Sequence, residues 1–231
     1  MTKMHKKTII ITAVICIVGI VACILIARLR AFHYEDHLDE PVVTVDDSSI
    51  TLREFGYYIY DTESMVQQQA LIYDPDNPNL WWNTHFSAGA DSAFVCDMAK
   101  KSAINTYVCM EIFYNEAVAS GMSLTDAEEN TAANEARQMY ESMDEHQLDA
   151  TGLTEDIILE IKRKQALATK YVMNYIKTND FRGYNEDPLT LMSWDGDYYK
   201  AKILPEHAVG QNDKILDNIT FGKITVNYTD P

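Results

Sequence analysis

Asp91 to Gly121 reads DSAFVCDMAKKSAINTYVCMEIFYNEAVASG and decides the fold. No proline interrupts it, Asp91 and Ser92 offer an N-cap, and Gly121 stands where a left-handed C-cap residue belongs. Its second half is apolar around most of its circumference, through Tyr107, Val108, Met110, Ile112, Phe113, Tyr114, Ala117 and Val118. Such a helix cannot keep one face in water, so other elements must pack on it from several sides. The stretch predicts the central post of a mainly α-helical body.

Helical periodicity extends outward on both sides of the post. Before it, Leu52 to about Tyr73 carries Phe55, Ile59, Val66, Ala70 and Tyr73 at helical spacing, with Tyr57, Tyr58 and Tyr60 as an aromatic cluster. Thr51 and Glu54 make a capping box at its start. Asp74 to Asn79 breaks the helix. As a calcium loop it would need glycine and glutamate where Asn79 and His85 stand, so it reads as a plain loop. Trp81 and Trp82 follow, as a lid on the core or an exposed apolar patch.

After the post, Thr125 and Glu128 form a second capping box and open a helix to about Met143. A short connector leads to a fourth helix capped by Thr154, with Ile157, Ile158, Ile161, Ala168 and Val172 on its buried stripe.

The ends of the body read differently. Val42, Val43 and Val45 favour a strand, Asp46-Asp47-Ser48 a turn, and Ile50 a return to extended chain. Leu189 to Trp194 and Tyr198 to Ile203 flank Asp195-Gly196-Asp197 and predict a β-hairpin. Asp213 to Asn218 suggests a short helix. Phe221 to Tyr228 alternates like a strand, expected to pair with Val42–Val45 and bring the chain ends together.

Ile9 to Ala27 is almost purely apolar, and its nineteen residues at about 1.5 Å each match the thickness of a bilayer core. Lys3, Lys6 and Lys7 precede it and Arg28 and Arg30 follow, which favours the N-terminus inside and the body outside the cytoplasm. No small-x-small cleavage site follows, so an uncleaved anchor is expected. Ile20-Val21-Ala22-Cys23 resembles a lipobox, and a lipid on Cys23 is the lesser alternative. The expected domains are therefore 1–30 as tip and anchor, 31–41 as linker, 42–178 as helical body and 179–231 as hairpin and closing strand.

Removing the five basic residues of the first thirty leaves 14 basic and 35 acidic residues, a net of −21 over 31–231. Such a body will not bind nucleic acid by neutralising phosphates. The surface charge reads as solvation or as attraction for cationic ligands. Cys96 and Cys109 lie thirteen residues apart on the post, roughly 20 Å along a continuous helix, which is too far for a disulfide. His33 and His37 lie in the linker with nothing nearby to complete a metal site. The chain carries no G-x-S-x-G, P-loop, H-E-x-x-H or C-x-x-C pattern. No catalytic, cofactor or metal residue is assigned.

The order of features resembles a known family. The marks are Val43-Thr-Val-Asp46 with Ile50-Thr51, an aromatic helix and a Trp-bearing loop. A long helix then leaves through Ala117 and Gly121-Met-Ser-Leu-Thr125, and Thr151-Gly-Leu-Thr-Glu-Asp156 precedes Lys164 to Tyr171, KQALATKY. Together they resemble the N-terminal chaperone domain of SurA-like and PrsA-like foldases of Gram-positive type, over roughly 42–177. The resemblance implies an extracytoplasmic chaperone that holds unfolded exported polypeptides, with Tyr57, Tyr58, Tyr60, Trp81 and Trp82 as possible client contacts. In that family a parvulin prolyl-isomerase domain follows or interrupts the helical body. Here the residues after the fourth helix lack its length and histidine pattern, so the expectation is binding without catalysis. An envelope protein with one specific partner and a prolyl isomerase are the alternatives.

Overall fold

The computed structural model describes residues 32–86 and 92–228. Residues 9–27, which carry the expected anchor, lie outside the described residues, as does Asp91. Among the described residues no helix is long and apolar enough to cross a membrane. The chain divides into Met1–His33 and a compact body, Tyr34–Pro231.

The body is mainly helical with one small sheet. In order come β1 (Pro41–Val45), β2 (Ser48–Thr51), α1 (Leu52–Tyr73), α2 (Asn79–Trp82) and α3 (Val95–Ala119). They are followed by α4 (Asp126–Ser142), α5 (Glu145–Thr151), α6 (Glu155–Thr178), α7 (Pro188–Leu191), β3 (Val209–Gln211) and α8 (Asp213–Leu216). Both predicted capping boxes are present: Thr51 with Glu54, and Thr125 with Glu128. Asp144 and Gln147 add a third at α5.

The central post is α3. It packs against α6, α1, α2 and β1 and buries Ile104, Tyr107, Val108, Ile112, Phe113 and Ala117. Its exit is as expected: Gly121 takes φ 69°, its N–H reaches the Val118 carbonyl, and Met122 N–H reaches Ala117. That pairing satisfies the last carbonyls as a Schellman motif does. Its entry differs from the sequence expectation. The helix starts at Val95 without a side-chain cap. Phe94 bridges back to His85 instead, and the Ser92 hydroxyl is spent on His85 Nδ1 at 2.6 Å. Cys109 is buried, with Sγ 3.8 Å from the Met192 carbonyl. Burial pushes its thiol up to about 12, so it behaves as a packing residue.

The sheet has the order β2-β1-β3. The strand and turn expected over 42–50 are there, with Asp46 at φ 51° closing the turn. Its carboxylate accepts from Ala208 N–H at 2.8 Å and pairs with His207 Nδ1 at 2.7 Å, which seats β3 beside β1. Val43 therefore pairs with Gln211, not with 221–228.

Two expectations for the C-terminal region fail. The hairpin over 189–203 is helical instead. Asp187 caps α7 with Pro188 in its first turn, and Tyr199–Ile203 forms a wide helical turn. Gly196 is needed because a Cβ there would collide with the carbonyls of Thr190 and Leu191, not because a hairpin turns on it. The closing strand, Phe221 to Tyr228, is an irregular strap. Gly222 (φ 88°) and Asn227 (φ 49°) interrupt any extended run.

Three of the strap's backbone N–H groups are satisfied by one side chain. Glu63, on α1, has no solvent exposure. Its Oε1 accepts from Gly222 N–H at 2.5 Å and Ile224 N–H at 3.4 Å. Its Oε2 accepts from Thr225 N–H and Oγ1–H, both at 2.6 Å. Burying a carboxylate costs several kcal/mol. Hydrogen bonds to an ionised group contribute about 1.5–3 kcal/mol each, so a four-donor set is of the size needed to offset it. Burial raises the Glu63 carboxyl above the usual carboxylate range, and the donors from Thr225, Gly222 and Ile224 pull it part of the way back. Around this point Gln67 accepts from Trp82 Nε1 at 2.8 Å and exchanges amide hydrogen bonds with Asn227 at 2.7 and 3.1 Å. Gln147 donates to the Thr225 carbonyl at 2.9 Å, and Tyr228 stacks on His146.

Glu63→Gln must turn an NH2 group against at least one backbone N–H. The expected loss is about 1–3 kcal/mol of unfolding free energy, read by denaturant titration; an unchanged midpoint would refute the role given to the carboxylate. Glu128 offers an opposite check. Lys170 (2.7 Å) and the Thr125 cap hold its carboxyl down to about 2. A depressed folded pKa means that the unfolded chain binds more protons below the ordinary carboxylate range. The contribution is present above that range and is lost as pH falls towards about 2. An NMR titration of the Glu128 carboxyl should find its midpoint there, and a midpoint near 4.5 would contradict the pairing.

Candidate functional site

The five aromatic residues proposed from sequence do not share one surface. Tyr57 is buried and donates from its hydroxyl to Gln165 Oε1 on α6 at 2.8 Å. Tyr58 is buried against Tyr107 of α3, with ring centres 5.6 Å apart and nearly perpendicular. Trp82 is buried, and its indole lies so close to Gly222 that a Cβ there would meet it at 2.5 Å. Tyr57 and Tyr58 face inward because α3 and α6 cover that side of α1, and Trp82 of α2 is covered by the strap, so these three leave almost no side chain at the surface. Tyr60 is half-buried and meets Ser142 Oγ at 3.2 Å. Trp81 is half-buried and packs on Tyr73 with ring centres 4.9 Å apart. Of the two readings of the tryptophan pair, Trp82 takes the lid, while Trp81 lies between the two, half-buried with its indole nitrogen inside.

The exposed apolar surface lies at the far end of α1. Ile72 is 84% exposed, and Leu71 and Tyr73 flank it. Met65, two turns earlier on the same face, is also exposed. The Asp74 loop turns the chain back, its carboxylate accepting from the N–H groups of Asp76 and Asn77 at 3.1 and 3.0 Å. That return places Leu80 and Trp81 beside the end of α1. Leu80 and Phe86 are exposed as well. Leu71, Ile72, Tyr73 and Leu80 thus leave several large apolar side chains in water at that end of α1, the kind of grouping that marks binding surfaces.

Sequence periodicity missed this surface because it ranked α1 by its buried stripe. Ile72 lies off that stripe, next to Tyr73, and a single off-stripe apolar residue is common. The informative sign is repetition: Met65, Leu71, Ile72, Leu80 and Phe86 are all large and all off the core face. Among the described residues no group of three or more His, Cys, Asp or Glu could hold a metal ion. Comparison with family models, with curated proteins and with solved structures finds no match to this chain.

Proposed function

We propose that this chain is a membrane-anchored chaperone of the holding type. Residues 9–27 would fix it in the bilayer, and the body outside the cytoplasm would bind exposed apolar segments of unfolded exported polypeptides without catalysis. The observation that carries the reading is the apolar end formed by Leu71, Ile72, Tyr73 and Leu80, with the half-buried Trp81 packed on Tyr73. Its residues sit at a helix end and in loops, where side chains can adapt to clients of different sequence. The strongly acidic surface keeps a protein with such a patch soluble and apart from its own copies. The likeness of its helix boundaries to SurA-like and PrsA-like domains supports the same reading.

The full-length chain in detergent micelles should suppress aggregation of reduced α-lactalbumin at a few-fold molar excess. Ile72→Glu with Leu80→Glu should weaken that suppression several-fold while the circular dichroism and unfolding midpoint stay unchanged, since both side chains are exposed. No suppression by the unaltered chain, or equal suppression by the double variant, would overturn the assignment.

A further inference from the structure

A second feature lies away from the apolar end. A cleft of about 200 Å³ opens between β2, α1, α3 and α6, smaller than the ~300–1,000 Å³ of ordinary small-molecule sites. Four of its lining residues are acidic: Glu54, Glu111, Asp156 and Glu160. Its apolar walls are Ile50, Ile157 and Ile161.

The carboxylates differ in how they are held. Glu54 caps α1 through Thr51. Glu160 meets Arg163. Glu111 is almost fully buried, and both its oxygens accept from Lys164 Nζ at 3.1 Å. Asp156 has no ion-pair partner among the described residues. Lys164 is half exposed and also lies 4.9 Å from the centre of the Tyr114 ring. It is the only basic residue of the lining, so the cleft keeps an excess of negative charge.

An independent observation marks the interior. Tyr107 lines the cleft and is 2% exposed, yet its hydroxyl has no hydrogen-bond partner. Burial first, then the charges of Glu111 and Glu54, push its phenol far above the ordinary tyrosine range. The hydroxyl therefore stays neutral and sits within reach of the fields of two lining carboxylates. An orphaned buried hydroxyl costs about 1–3 kcal/mol, which a hydrogen-bond partner brought by a ligand would recover.

We infer that this cleft is a site for a guanidinium or ammonium group carried on an aliphatic stem, as in an arginine or lysine side chain. The stem would lie on Ile50, Ile157 and Ile161, the cation would meet the lining carboxylates, and one of its N–H groups would donate to the Tyr107 oxygen. Lys164 is the resident cation with which the ligand competes. The inference rests on the reading of this body as a polypeptide-binding protein. It adds a preference for apolar segments that contain a basic residue.

The test is calorimetric titration of the full-length chain in micelles with the blocked peptide acetyl-Ala-Ala-Leu-Arg-Leu-Ala-amide, and with the same peptide carrying citrulline for arginine. The arginine peptide should bind at least about tenfold more tightly, since citrulline keeps the shape and loses the charge. Tyr107→Phe should weaken it about three- to tenfold with an unfolding midpoint no lower than the parent's, and Lys164→Met should tighten it. Equal affinity for the two peptides, or a Tyr107→Phe variant that binds like the parent, would overturn the site. Arginine amide separates the sources: equal binding points to a free small cation, weaker binding to a chain segment, and either result supports the cation site. Peptide binding without aggregation suppression would remove the holdase and leave the cleft; suppression with no preference for arginine would do the reverse.

Discussion

The body depends on one carboxylate buried where a hydrophobic residue would ordinarily stand. Glu63 sits on the apolar stripe of α1, four residues after Ile59 and three before Val66. An ionised group there is tolerable only if donors replace its water. The strap supplies them from Gly222, Ile224 and Thr225. In return, a segment with no strand partner has three of its backbone N–H groups satisfied in the interior. The chain's last described stretch is thus tied to its first long helix by a charge, across some 160 residues.

That tie determines which surfaces remain. With the strap in place, Phe221 and Ile219 are buried and Trp82 is closed over by Gly222. Tyr57 and Tyr58 are taken up by α6 and α3. The aromatic cluster of α1 is therefore mostly core, and Leu71, Ile72, Tyr73 and Leu80, at the end of α1 and in α2, are among the large apolar side chains left in water. The acidic cleft lies elsewhere, on the face where β2 and α6 meet α3. An apolar end and an anionic cleft on one body suit a polypeptide with both greasy and basic residues better than either feature does alone.

Much of this was legible in the sequence where physics is local. Capping boxes at Thr51 and Thr125, the left-handed Gly121, the valine strand and the long helices all follow from neighbours within a turn or two. The failures are non-local. The alternation of Phe221 to Tyr228 suggested a strand, but its partner is a side chain 160 residues away, and the edge of β1 it would have used belongs to Val209–Gln211. The hairpin reading of Asp195-Gly196-Asp197 overlooked Asp187-Pro188, a helix start with its own mechanism. Glu63 and Glu111 both occupy apolar stripe positions, and a charge on such a stripe marks a buried partner. One is the anchor of the strap and the other lies in the floor of the cleft.

Amide hydrogen exchange on the unaltered full-length chain tests the anchoring most directly. The N–H groups of Gly222 and Thr225 should exchange as slowly as that of Ile112 in the middle of α3, because freeing them means exposing the Glu63 carboxylate and opening the core. Exchange of Gly222 and Thr225 through local opening, orders of magnitude faster while Ile112 stays protected, would contradict it.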